Sequence, residues 1–225
     1  MSFLSDLPRE WVTIQVPGTS SQTMLVTYVG YPVDQLPAAP VDVAGLEWLK
    51  HAPRHPDGDL GSAFEHAARD ISSQAVADLL GDLAAVPNDF AQFLEDAGLR
   101  DRLRSATNSY FDLGDSVAAV DGGRLLHLIS DSQWTFHWLL YLGDDGSSAI
   151  VGTSFPAGFA LDPDETQFWQ DHGWGYILVA GSFAEFLWRW WMDNEIFYRV
   201  VVEKVDMSAD ERAYVEQYGL PNRLG

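Results

Sequence analysis

GGRLLHLISDSQWTFHWLLYLGDDGSSAIVGTSF, residues 122–155, is the stretch whose reading decides the fold. GRLLHLIS, 123–130, has the composition of a strand. WTFHWLLYL, 134–142, and SSAIVGTSF, 147–155, flank GDDG, 143–146, and this pattern predicts a β-hairpin. Trp134, Phe136, Trp138, Leu140 and Leu142 share one parity of the first arm, and Thr135, His137, Leu139 and Tyr141 share the other. Both sets are largely apolar, so the arm is expected inside a sheet and covered on both faces.

Working outward, GYILVA, 175–180, reads as a further strand, and TMLVTYVGY, 23–31, has strand composition. Pro32, Pro37, Pro40, Pro53 and Pro56 then punctuate a loop. SSQAVADLLGDLAAV, 72–86, places Val76, Leu79, Leu80 and Leu83 at helical spacing. VPNDFAQFLEDAG, 86–98, predicts a new helix with Pro87 in its first turn and Gly98 at its stop. ADERAYVEQYGL, 209–220, predicts a terminal helix, and RVVVEKV, 199–205, reads as a last strand or a helix exit.

SFAEFLWRWWMDNEIFYRVV, 182–201, is the longest helical pattern. Ser182 and Glu185 form a capping box. On a helical wheel Phe183, Phe186, Leu187, Trp190, Trp191 and Phe197 share one arc, which is expected to be core. Glu185 and Arg189 fall on the far side, Asp193 at the edge of the arc and Met192 on the polar side. Asn194 falls inside the arc, so its amide must find partners, and it is expected to tie down a loop or strand end. Trp188 lies on the flank, where an interface residue is expected. The charges at Glu185, Arg189, Asp193 and Glu195 exclude a membrane span.

The 225 residues carry 33 acidic and 13 basic side chains, a formal net charge of -20. Such a surface repels phosphate backbones, which argues against nucleic acid, and attracts basic proteins. Hydrophobic residues make up 47%, enough for a sizeable core. Cysteine is absent, which excludes disulfides, thiol catalysis and cysteine-bound metal. The start, MSFLSDLPREW, has no basic segment followed by an apolar run, so no signal peptide is read there.

Three segments resemble the SUKH superfamily, the Smi/Knr-type domain. VPNDFAQFL, 86–94, is similar to its opening helix signature. GGRLLHLISDSQWTFHWLLYLGDDGSSAIVGTSF, 122–155, is similar to its central strands. VAGSFAEFLWRWWMDNEIFYRV, 179–200, is similar to its closing helix, with a Ser–Phe–x–x–Phe start and an acidic–Asn–Glu run. The resemblance implies an α+β fold with a twisted, mostly antiparallel sheet and helices packed against it. It implies a domain over 71–205, preceded by an N-terminal extension at 1–70 packed on the core and followed by a helix and tail at 206–225. It implies a cytoplasmic binding protein without catalytic residues or cofactor. The bacterial form of that role is an immunity protein neutralising a basic, nuclease-like toxin domain encoded nearby. The eukaryotic form is a scaffold of cell-wall or signalling pathways.

Between Arg124 and Arg189 there is no lysine or arginine. Asp131, Asp144, Asp145, Asp162, Asp164, Glu165 and Asp171 lie in that interval, with Trp134, Trp138, Trp169 and Trp174. These acids and Trp188 are the expected partner-binding residues, because charges steer and aromatics anchor. The same acids also suit ordinary turns. Ser182, Glu185, Trp190, Trp191 and Asn194 are expected to be structural. Catalytic chemistry is not expected. No carboxylate pair has the spacing of a glycosidase. Ser109, Ser130 and Ser182 lack a G-x-S-x-G elbow. His127, His137 and Asp131 could hold a metal, but strand histidines more often only pack. His51 and His55 have ligand spacing, yet Pro53 lies between them.

Overall fold

The computed structural model describes residues 3–17, 28–33, 36, 38–40, 43, 45–55, 72–81, 86–111, 113, 117–154 and 175–218. Its strands are β1 (Glu10–Ile14), β2 (Tyr28–Pro32), β3 (Tyr110–Phe111), β4 (Val117–Val120), β5 (Gly123–Ser130), β6 (His137–Gly143), β7 (Ser148–Thr153) and β8 (Ile177–Ala180). Its α-helices are α1 (Ser73–Leu80), α2 (Asn88–Glu95), α3 (Ala97–Arg100), α4 (Phe183–Phe197) and α5 (Ala209–Tyr218). The chain therefore has an α+β fold with a mostly antiparallel sheet.

The main sheet runs β3-β5-β6-β7-β8, every neighbouring pair antiparallel. β4 and β3 share one edge of β5: β4 pairs with its first half and β3 with its last two residues. β1 and β2 form a second antiparallel pair. A parallel bridge between Arg9 and Leu178 links β1 to the β8 edge, where the Leu178 amide donates to the Pro8 carbonyl at 2.8 Å.

Both faces of the central strands are covered, as alternating apolar parities require. Leu126, Trp138, Leu140 and Ile150 join the main core under α2 and α4. Leu125, Leu139, Tyr141 and Val151 form a smaller cluster on the other face, against Phe3, Leu4 and Tyr176. Trp11, Val16, Leu46 and Leu49, all from the first 70 residues, are fully buried in the main core.

Several element ends differ from the sequence expectation. β6 starts at His137, not Trp134, because Trp134 has a left-handed backbone (φ 57°) and the Asp131 carboxylate holds the turn before the strand. α2 stops at Glu95. Asp96 leaves the helix and caps α3 through Gly98 N at 2.9 Å, so Gly98 lies inside α3. α1 starts with Ser72 Oγ accepting from Ala75 N and stops at Gly81 (φ 73°); residues 82–85 of the expected helix lie outside the described residues. Of the two readings of RVVVEKV, the helix exit holds and the strand does not. The segment continues α4 as a π turn (Tyr198–Val202) that closes with Lys204 left-handed at φ 58°.

α4 starts as its capping box requires: Ser182 Oγ accepts from Glu185 N at 3.1 Å, and Glu185 reaches back to Gly181 N. Its polar side, however, is not in solvent. Arg189, Met192 and Asp193 are 3%, 8% and 0% exposed. The wheel could not see that segments from both chain ends cover this side. Trp11 from β1 and Tyr214 from α5 both donate to the Asp193 carboxylate, at 2.7 and 2.9 Å.

Candidate protein-binding surface

Part of the basic charge is engaged within the fold at Arg100, Arg102, Arg104 and Arg189, whereas Arg9, Lys50, Arg54, Arg124, Lys204 and Arg212 are exposed. Arg100, Arg102, Arg124 and Arg212 donate to main-chain carbonyls, Arg124 to Leu80 O at the end of α1. Lys50, Arg104, Arg189 and Arg199 pair with Glu47, Glu195, Glu185 and Glu211. Cations at helix ends complement the helix dipole, while the exposed pairs contribute little to stability.

One end of the main sheet concentrates acids. The β4–β5 turn and the β6–β7 turn lie side by side, with Asp144 N donating to Gly122 O at 2.9 Å and Gly123 paired with Gly143. Asp121, Asp144 and Asp145 are exposed there. Asp145 also serves its turn: its Oδ1 accepts from Ser147 N at 2.9 Å, and this bonding to Ser147 lowers its pKa below the ordinary aspartate value. Gly146 supplies the left-handed residue that closes the turn (φ 83°). Asp162, Asp164, Glu165 and Asp171 lie outside the described residues.

Two expected surface residues are elsewhere. Asp131 is 1% exposed. Its carboxylate accepts from Thr135 N, Thr135 Oγ1 and Phe136 N at 2.6, 2.9 and 3.2 Å, so it organises the β5–β6 loop and faces no partner. Trp188 is half-buried: Tyr214 of α5 meets its ring edge-on at 5.4 Å and the Arg189 guanidinium sits 5.9 Å from its centroid. The terminal helix covers the flank that the wheel left open.

The opposite end of the sheet is built differently. Trp134 projects from the β5–β6 loop, 53% exposed, and is the one aromatic in the exposed class among the described side chains. Its indole N–H donates to Tyr110 OH at 2.6 Å, and its ring meets His137 edge-on at 5.7 Å. Ser132 Oγ donates to Thr107 O, which joins this loop to the 105–109 loop. There Ser105, Thr107 and Ser109 exchange hydroxyl bonds, and Tyr28 OH donates to Thr107 Oγ1 at 3.1 Å. Burial raises the Tyr28 pKa well above the ordinary tyrosine value, and the nearby Asp131 charge adds to the effect, so Tyr28 stays a neutral donor. Comparison of the chain with family models, with curated proteins and with solved structures finds no match. The family resemblance therefore stands on the quoted residues alone.

Behind Trp134, Ser130 Oγ lies 2.8 Å from His127 Nε2 and 2.9 Å from His137 Nδ1. A hydroxyl has one proton and two lone pairs, so it donates to at most one of the two imidazoles. The β-bulge at Leu128 returns Ser130 to the face of His127. A serine beside a histidine has the spacing of an activated nucleophile, yet Ser130 and His137 are 0% exposed and His127 is 4% exposed, which closes the hydroxyl to substrate. No group of three metal-ligating side chains occurs among the described residues.

Asp193, Asn194 and Glu195 turn α4 into a clamp behind this end. Asn194 is 4% exposed; its Oδ1 accepts from Ala106 N at 2.8 Å and its Nδ2 donates to Trp190 O at 2.9 Å. Trp190 Nε1 donates to Arg104 O. Glu195 holds Arg104 in a two-point pair at 2.8 Å each, and Arg104 lies over the Tyr198 ring at 4.2 Å. His55 Nε2 is 3.1 Å from Glu195, and burial lowers its pKa despite that neighbour. Trp191, read as part of the core arc, is half-buried against Trp48 at 5.4 Å. Sequence reading placed Trp134 in the β6 arm and among the aromatics of the interval without basic residues, and left Tyr110 unassigned. The signal for the loop was the polar run Ser130–Asp131–Ser132–Gln133 directly before Trp134.

Proposed function

We propose that this chain is a non-catalytic, cytoplasmic protein-binding domain that captures a basic protein through its acidic surface, as an immunity protein neutralises a basic toxin domain. The observation that carries the proposal is the allocation of charge. Arg100, Arg102, Arg104 and Arg189 are bound to carbonyls and carboxylates in half-buried or buried positions, while Asp121, Asp144 and Asp145 face solvent at one sheet end. With a net charge of -20, that arrangement attracts cations and repels phosphate. The likeness of 86–94, 122–155 and 179–200 to the SUKH superfamily supports a binding role. No helix among the described residues is long and apolar enough to cross a membrane.

The test is co-expression with the C-terminal domain of the protein encoded by the adjacent gene. The expected result is a complex on size exclusion at low salt, together with relief of that domain's toxicity. Growth inhibition unchanged by the chain, with no complex at low salt, contradicts the proposal.

A further inference from the structure

We propose that Trp134 is the anchor for the basic partner, receiving an arginine or lysine side chain of that partner on its indole face. This rests on the basic-partner reading and adds a second contact to it, at the end of the sheet opposite the acidic turns. The chain already stacks its own arginines on aromatic rings: Arg104 lies 4.2 Å over Tyr198 and Arg189 lies 5.9 Å from Trp188. Trp134 is the ring left exposed, at 53%, and among the described residues no cation lies over it. Tryptophan is the strongest of the aromatic cation acceptors.

The site is also rigid before any partner arrives. A bulky residue at φ 57° is strained, and such backbone persists only where the surroundings over-determine it. Here they do. Asp131 fixes the loop with three hydrogen bonds, Ser132 ties it to Thr107, and Tyr110 holds the indole N–H. A pre-ordered aromatic loses little side-chain freedom on binding. Its exposed neighbours Asn108, Gln133 and Thr135 are neutral. An aromatic among neutral polar groups is the composition of an interface core, whereas the acidic turns have that of a charged rim. Trp188, the anchor expected from sequence, is occupied by Arg189 and Tyr214.

The probe is a synthetic Gly–Arg repeat octapeptide, with its citrulline counterpart as the uncharged control. The readout is the indole ¹H–¹⁵N resonances of the full chain, with Trp134 assigned through Trp134→Phe. The expected result is a saturable shift of the Trp134 resonance with the arginine peptide and none with citrulline. Trp134→Ala is expected to weaken binding about threefold or more, with Trp134→Phe between it and the native chain. Asp144→Lys/Asp145→Lys is expected to weaken binding in a salt-dependent way while the Trp134 shift at saturation persists. If the peptide binds but Trp134 is unmoved and Trp134→Ala binds equally well, the anchor is refuted and the acidic-surface reading stands. If the arginine peptide does not bind at millimolar concentration, both are overturned.

Discussion

The two ends of the central sheet carry opposite designs. At the β6–β7 end, Asp144 and Asp145 sit exposed in a turn closed by main-chain bonds, with Ser147 N donating to the Asp145 carboxylate. At the β5–β6 end, Trp134 is held left-handed by a buried carboxylate, a serine and a tyrosine, with α4 clamping the neighbouring loop behind it. The first end is charged and costs the fold little to change. The second is nearly neutral at its surface and is braced from the core outward. On the proposed reading, the charged end steers a partner and the braced end holds it.

Substitutions should separate the two ends by size of effect. Trp190→Ala is expected to lose about 3–5 kcal/mol in denaturant melts, because it removes a core ring packed on Trp138 and Phe186 and the donor to Arg104 O. A near-neutral result would mean that α4 does not brace the Trp134 end. Asp131→Ala should lose about 2–3 kcal/mol, since hydrogen bonds to a charged group contribute ~1.5–3 kcal/mol and two main-chain donors are stranded. It should also change the near-ultraviolet signal of Trp134.

Asn194→Leu leaves Ala106 N without its acceptor and should lower stability by about 1–3 kcal/mol. If hydrogen exchange at Ala106 stayed as slow as in the native chain, the clamp would be discounted. Asp144→Lys with Asp145→Lys is expected to shift stability by no more than about 0.5 kcal/mol, as for exposed sites away from buried features. A larger loss would show that the acidic turn is as structural as its opposite end.

The sequence made strands legible through composition at 123–130 and through side-chain parity at 137–143, and made the α4 start legible through Ser182 and Glu185. Asn194 was legible too, since an amide inside an apolar arc has to be bonded. Asp131 was misread because a carboxylate's burial depends on which donors the loop folds toward it, here Thr135 N and Phe136 N. Trp188 was misread because its cover, Tyr214, comes from a distant segment, and Arg189 because the wheel does not show that this side of α4, with its Glu185 pair, is buried. Trp134 was seen as an aromatic, but its left-handed backbone and its exposure belong to the loop rather than to any periodicity.

The most direct test of the central claim is association kinetics on the immobilised chain, with the C-terminal domain of the adjacent gene's product as analyte. It is run near 0.01 M and near 0.15 M salt, where the Debye length falls from ~30 to ~8 Å. The predicted result is an association rate roughly tenfold or more faster at low salt, with Asp144→Lys/Asp145→Lys removing much of that gain. An association rate indifferent both to salt and to the Asp144/Asp145 reversal would contradict capture through the acidic surface, however tightly the two proteins bound.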